Sequence, residues 1–144
     1  MKDIRAASAL ALLLAVTTGS SLAQPKMQGV LNPLATVPFA QDADVACLAS
    51  AIESGDAATG PSTWILKAPA GCVVPWHSHS AREELIVVTG QVFAEMSDHA
   101  PAMLGPAGYA MMGGRMAHQF TCRGPDECLM FITFDGPYDI KWGK

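Results

Sequence analysis

Glycine and proline punctuate this chain so often that a long helix has no room between them. The 144 residues include 13 Gly and 10 Pro. Beyond residue 44, short apolar runs alternate with turn residues. Residues 45–52 end at Glu53-Ser54-Gly55-Asp56, and residues 62–68 end at Pro69-Ala70-Gly71. Residues 85–89 break at Gly90 and resume over 91–96, which suggests a tight turn or a bulge. Met103-Leu104 precede the turn Gly105-Pro106-Ala107-Gly108, and residues 109–112 precede Gly113-Gly114. Residues 118–122 and 128–134 flank Arg123-Gly124-Pro125-Asp126-Glu127, which predicts a hairpin. Many short strands with dense turn signals predict an all-β sandwich or barrel. Only the alanine-rich stretch 44–54 competes as a turn or two of helix, and its neighbours favour a strand.

The first residues are expected to lie outside this fold. Lys2 and Arg5 open the chain, an apolar run covers residues 6–16, and Ser21-Leu22-Ala23 supplies small residues where a signal peptidase requires them. The run has eleven residues, against about 20 for a membrane span. Residues 1–23 therefore read as a signal peptide, with an uncleaved anchor or a buried helix as alternatives. Cleavage removes Lys2, Asp3 and Arg5, together +1, and takes the formal charge from −4 to −5. Residues 24–41, with three prolines before residue 39, read as an extended arm, and residues 42–144 as one domain. The expected location is exported, periplasmic or secreted, with no integral span after cleavage. The remaining basic residues form no stripe, so nucleic acid is not an expected partner.

Three of the four histidines fall in two places, His77-Ser78-His79 and His118. Side chains alternate along a strand, so an H-x-H pair presents both imidazoles on one face. Glu83 shares their parity and Glu84 does not, unless residues 80–82 turn and reset the phase. Neutral imidazole and carboxylate suit iron, manganese, nickel, copper or zinc. Such a ligand set on an octahedral ion leaves two positions open, unlike a closed structural zinc site. The bland alternative is a group of hydrogen-bonded histidines. His99, beside Ser97-Asp98, reads as an exposed loop residue.

These residues carry a resemblance. Gly71, five residues, His77-Ser78-His79, three residues, Glu83, six residues and Gly90 fill every fixed position of the first signature of the cupin superfamily. The second signature is glycine, five residues, P-x-G, two residues and histidine. It is met at His118, with Gly113 in place of the proline and Arg115 in place of the glycine. The stretch from Gly55 to Pro61 also resembles a loop of single-domain cupins. The resemblance spans about residues 42–139. It implies a small double-stranded β-helix barrel with a divalent metal held by His77, His79, Glu83 and His118.

Cys47, Cys72, Cys122 and Cys128 allow three pairings. Cys122 and Cys128 end the two strands of the predicted hairpin, where facing Cβ atoms come close enough to bridge. Cys47 and Cys72 have no local argument and read as buried thiols. The methionines of the second half read as core filling rather than a Cu(I) site. Phe120 should share the inward face of His118, and Arg115 reads equally as an anion contact or a solvated residue. The leading expected function is a mononuclear metal-dependent enzyme, most naturally an oxygenase. A non-enzymatic binding protein and a metal-dependent isomerase or lyase are the alternatives. Expected partners are a small-molecule substrate or ligand and, as an option, a second copy in a homodimer.

Overall fold

The computed structural model describes residues 29–144, so the predicted signal peptide at residues 1–23 lies outside the described residues. All elements fall within the unit Asn32–Lys144. A single 3₁₀ turn, Leu34–Thr36, precedes eleven strands. They are β1 (Ala40–Gln41), β2 (Ala49–Gly55), β3 (Ser62–Ala68), β4 (Val73–Ser78), β5 (Glu83–Thr89) and β6 (Gln91–Met96). The others are β7 (His99–Leu104), β8 (Tyr109–Met112), β9 (His118–Arg123), β10 (Cys128–Phe134) and β11 (Lys141–Trp142). They form two antiparallel sheets, β1-β2-β3-β10-β5-β8 and β11-β4-β9-β6-β7. The fold is all-β, as the turn density predicted, and is the small double-stranded β-helix that the resemblance implied. Among the described residues no helix is long and apolar enough to cross a membrane.

The chain changes sheet at almost every turn after β3. Residues 79–82 carry it from β4 in one sheet to β5 in the other. Gly90 alone carries it back to β6. Gly90 has φ +80°, and a Cβ there would sit 2.8 Å from the carbonyl oxygen of Glu127 and 2.9 Å from Cα of Cys128. Only glycine fits so tight a corner. The break at residue 90 is thus the tight turn of the two expected options, and it is the place where the barrel folds over from one sheet to the other.

The same geometry corrects the predicted hairpin. β9 pairs with β4 and β6, whereas β10 pairs with β3 and β5, and the two do not pair with each other. Cys122 and Cys128 are nevertheless bridged, with Cα atoms 5.7 Å apart. Their bond joins the two sheets rather than two strands of one. Cys47 and Cys72 are not buried thiols but a second disulfide, Cα–Cα 5.6 Å. It ties the loop before β2 to the turn before β4. The arm's end, Ala40–Gln41, pairs with Ala49 and Ser50 at the edge of the first sheet. His99 is exposed as predicted, yet it opens β7, a strand that Pro101 concealed in the sequence.

Strand alternation fills the space between the sheets. Leu85, Val87, Val92, Met130 and Ile132 are almost fully buried there, and each such aliphatic side chain contributes about 1.5–3 kcal/mol on burial. Met112 and Met130 belong to this core, whereas Met103 and Met111 are exposed. The inward positions at one end of the same strands are polar.

Candidate metal centre

His77, His79, Glu83 and His118 come together at that end, each at most 4% exposed. One ligand atom from each lies within 4.8 Å of all the others. His77 pairs with His118 across β4 and β9. Both project inward, after a bulge in β4 between Val74 and His77 restores the phase. Glu83 arrives from the opposite sheet. The structure brings Glu83 and not Glu84 to the imidazoles, but not by parity along one strand, because residues 79–82 leave β4 and enter β5 at Glu83. Glu84 faces outward and pairs with Arg82 at 3.4 Å.

Each imidazole is held by its Nδ1. That of His77 donates to the carbonyl of Pro75 at 2.7 Å, that of His79 to Asp139 at 2.5 Å and that of His118 to Met116 at 2.9 Å. A backbone carbonyl on Nδ1 fixes the tautomer and leaves Nε2 for a metal. Nε2 of His79 and Nε2 of His118 each lie 3.1 Å from Oε2 of Glu83. Burial, aided by the neighbouring His118, lowers the His77 pKa to about 4. Burial pushes Glu83 upward, but hydrogen bonds from His118 and His79 outweigh it and hold the carboxyl at about 2. Burial lowers His79, and the Glu83 hydrogen bond and charge more than reverse this, so its pKa is raised. Glu83 is therefore ionised and His77 neutral at pH 7. Three oriented nitrogens around one carboxylate oxygen fit a divalent transition metal.

The C-terminal segment stitches this centre from outside. Asp139 accepts the Ser80 N–H at 2.6 Å and the Ser80 hydroxyl at 2.7 Å, while its carbonyl orients His79. Those two Ser80 bonds hold the Asp139 carboxyl below the usual range. Asp135 accepts the Arg82 N–H at 2.8 Å. Residues 79–82 are thus clamped on both sides. Neither aspartate carried a recognisable motif in the sequence.

His79 and Glu83 open on a cavity of about 50 Å³, measured by where a water-sized molecule can sit. Since one water needs roughly 10–15 Å³ on that measure, the space holds a few atoms. Its walls are largely apolar, including Leu48, Trp64, Phe120, Phe134 and Trp142. Phe120 does share the inward face of His118, their rings stacked at 5.9 Å. Asp42, Ser50 and Tyr138 are the other polar side chains in the wall. Tyr138 packs against His79 at 5.3 Å and Trp64 at 5.2 Å. Burial, then the nearby Asp42 charge, pushes its phenol to about 12, so it stays a neutral donor. Sequence reasoning missed Tyr138, and only the alternation of β10 continued past Phe134 could have hinted at it. Arg115 does not enter the cavity wall. It is exposed, and its backbone N–H bonds the His79 carbonyl at 2.6 Å. Its φ is +68°.

The chain shares the double-stranded β-helix fold of cupin-type proteins of known structure. Solved structures agree with this. The polyketide cyclase RemF from Streptomyces resistomycificus superposes with a TM-score of 0.67 at 14% identity, over 83% of this chain and 87% of that one. A cupin-2 domain protein from Rhodospirillum rubrum gives 0.66 at 11% identity, over 84% of each chain. The DMSP lyase DddQ from Ruegeria pomeroyi gives 0.64 at 19% identity, over 75% of this chain. The chain spans 61% of the length of that lyase. No protein-family model and no curated protein matches the sequence.

Proposed function

We propose that this chain is an exported, mononuclear metal-dependent enzyme acting on a small organic molecule. The observation that carries the reading is the buried group of three imidazoles and Glu83, of which His79 and Glu83 face a small apolar cavity. The metal, which we take to be Fe(II), would act as a Lewis acid and a centre for one-electron chemistry. The chain's own residues do the rest. Pro75, Met116 and Asp139 carbonyls keep the imidazoles aimed. Phe120 and Phe134, both buried, exclude water. Tyr138 supplies a neutral O–H in the cavity wall. The two disulfides support export, because such bonds persist in oxidising compartments.

An oxygenase is the reaction class we favour, since the side chains supply four ligands and leave room beside them. Tyr138 favours a second reading, an isomerase or lyase, in which a positioned phenol moves a proton and no dioxygen is needed. Metal analysis of protein recovered from its own compartment, followed by substrate screening, separates these. Oxygen uptake with turnover supports the oxygenase. Turnover under anaerobic conditions supports the isomerase or lyase. Tight ligand binding without turnover defeats both in favour of a binding protein.

A further inference from the structure

The cavity beside His79 and Glu83 and a groove on the outside of the barrel share one side chain. The groove, about 600 Å³ on the same measure as the cavity, runs over Asp44, Pro75, Trp76 and Gln119. Trp142 lines both spaces, and among the described residues it alone does so. It is also the one exposed member of the cavity wall, at 44%, whereas Val45, Leu48, Phe120 and Phe134 are buried. Strand pairing puts it there. Trp142 is the register partner of His77 at the edge of the smaller sheet, and facing partners on two strands point the same way. Its ring therefore turns inward with His77, the two centroids 5.5 Å apart.

The neighbouring parts of the wall are fastened. Residues 42–48 are held by the Cys47–Cys72 disulfide and by the Gln41 amide, which donates to the carbonyls of Ala46 and Leu48 at 2.6 Å. Asp42 accepts the N–H groups of Asp44 and Val45. The Tyr138 N–H donates to the Ala57 carbonyl at 2.8 Å, and Ser80 binds Asp139 twice. Past that clamp the hold is lighter. β11 has two residues and a partner on one side only. The Lys141 ammonium reaches Ser80 and Asp139 only at 3.5 and 3.9 Å, both exposed. After Trp142 come one backbone bond, from the Gly143 N–H to the Trp76 carbonyl at 2.7 Å, and the Lys144 ammonium over the Trp76 ring. A short edge strand with so few bonds opens at low cost.

We propose that Trp142 is the door between the groove and the metal centre. β11 swings out to let a metal or a substrate pass, and the ring closes behind it. The inference rests on the metal-dependent reading above and adds to it the route of access. With the ring in place the cavity holds only a few atoms. The reactant is therefore a compact molecule that enters whole, and the groove is its vestibule.

Stopped-flow binding of Co(II) to the metal-free full chain, and its removal by excess dipicolinate, tests this. A door changes passage in both directions alike, so it alters rates and not affinity. Trp142→Ala should raise the entry and exit rate constants by the same factor, about tenfold or more, with Kd unchanged. Trp142→Phe, which keeps a ring, should raise them less. Gly143→Pro removes the N–H donor and cannot adopt the φ of +111° found there. It should raise both rates by roughly fivefold, as loss of one hydrogen bond does. Far-UV circular dichroism checks folding, and Gly143→Pro carries the test if Trp142→Ala does not fold. Faster exit with unchanged entry, and hence a raised Kd, would show that Trp142 only steadies His77 and would overturn the door. Unchanged rates in both Trp142→Ala and Gly143→Pro would overturn it while leaving the metal centre standing. A wild-type chain that binds no Co(II) ends the metal-dependent reading and the door with it.

Discussion

The two ends of the barrel are built on the same strands and do opposite things. β9 runs from His118 through Phe120 to Cys122, all buried. β5 and β10 make the same passage in the other sheet, from Glu83 and Phe134 at one end to Val87 and Cys128 at the other. At the first end, inward positions hold four ligand-type side chains and open on the cavity. At the second they hold aliphatic groups, and two disulfides close it. Cys122 and Cys72 are backbone neighbours there, the Cys122 N–H donating to the Cys72 carbonyl at 2.9 Å. Alternation decides which positions face inward but not what occupies them. Chemistry and cohesion are thereby separated by the length of one strand, so damage at one end should leave the other nearly intact.

The sharpest break of this comparison is at the polar end. His79→Ala and Glu83→Gln should each remove most bound metal, a loss larger than the ~10–100-fold that follows deletion of a residue merely supporting a ligand. Glu84→Gln, one residue along and facing outward, should leave occupancy unchanged. Both disulfides should still form in all three variants. Elemental analysis alongside thiol titration checks this, and full occupancy in the Glu83 variant would sink the four-ligand assignment.

At the cohesive end the effect should fall on stability. On the chain-entropy view, the 25-residue separation of Cys47 and Cys72 makes their bond worth about 3.5 kcal/mol. The six-residue separation of Cys122 and Cys128 gives about 2.4 kcal/mol. Replacing either pair by alanine should lower the urea midpoint, the first pair more than the second, with metal occupancy preserved. Loss of metal in the Cys122/Cys128 variant would show that the ends are coupled through β9.

How much of this was legible beforehand divides along the same line. H-x-H with Glu83 and Gly90 is a local pattern, readable because its fixed spacing spans one sheet-to-sheet crossing, from the end of β4 to the corner after β5. So are strands such as Ser62–Ala68, bounded by turn residues on both sides. Sheet membership was not readable. Residues 123–127 look like a hairpin loop because nothing local distinguishes a turn within a sheet from a corner between sheets. The Cys122–Cys128 bridge followed from a mistaken pairing, since proximity across a short loop holds in either case. Cys47–Cys72 and the Asp139 clamp on His79 depend on residues 25 and 60 apart. Such contacts arise only when the barrel closes.

A smaller effect separates the ligands from one another. His77, held at about 4, and Glu83, held at about 2, are already deprotonated between pH 5 and 8. His79 has a raised pKa, because the Glu83 hydrogen bond and charge outweigh its burial, so an incoming metal competes with a proton more there than at His77. Metal affinity should therefore fall as pH drops through this window, with His79 contributing to the fall before His77 does. His77 should add to the slope only near pH 4. Calorimetric titration in buffers of different ionisation enthalpy counts the released protons. Proton release that persists undiminished down to pH 5 only through His77 would mean that His77 is not kept neutral by its burial.

The smallest expected effect lies in the loops at the two ends, where backbone strain makes the comparison finer. Ala107 and Arg115 are the non-glycine residues with positive φ among those described, at +66° and +68°. Both fall where the second cupin signature has glycine, Arg115 two residues after Gly113 and Ala107 with five residues between it and Gly113. A side chain in this region costs about 1–2 kcal/mol, while glycine loses about 0.5–1 kcal/mol more entropy on folding. Replacement by glycine should then stabilise each site by a net ~0.5–1 kcal/mol. Ala107 lies in the turn before β8, remote from the ligands, so Ala107→Gly should raise the melting temperature and change nothing else. Arg115 bonds the carbonyl of His79, and Arg115→Gly should raise it equally with metal retained. Should Arg115→Gly stabilise the fold yet impair turnover of a substrate once one is found, the strain is being tolerated for the guanidinium. Equal melting gains and unchanged turnover in both variants would instead mark Arg115 as a solvated side chain on a loop that glycine would suit better.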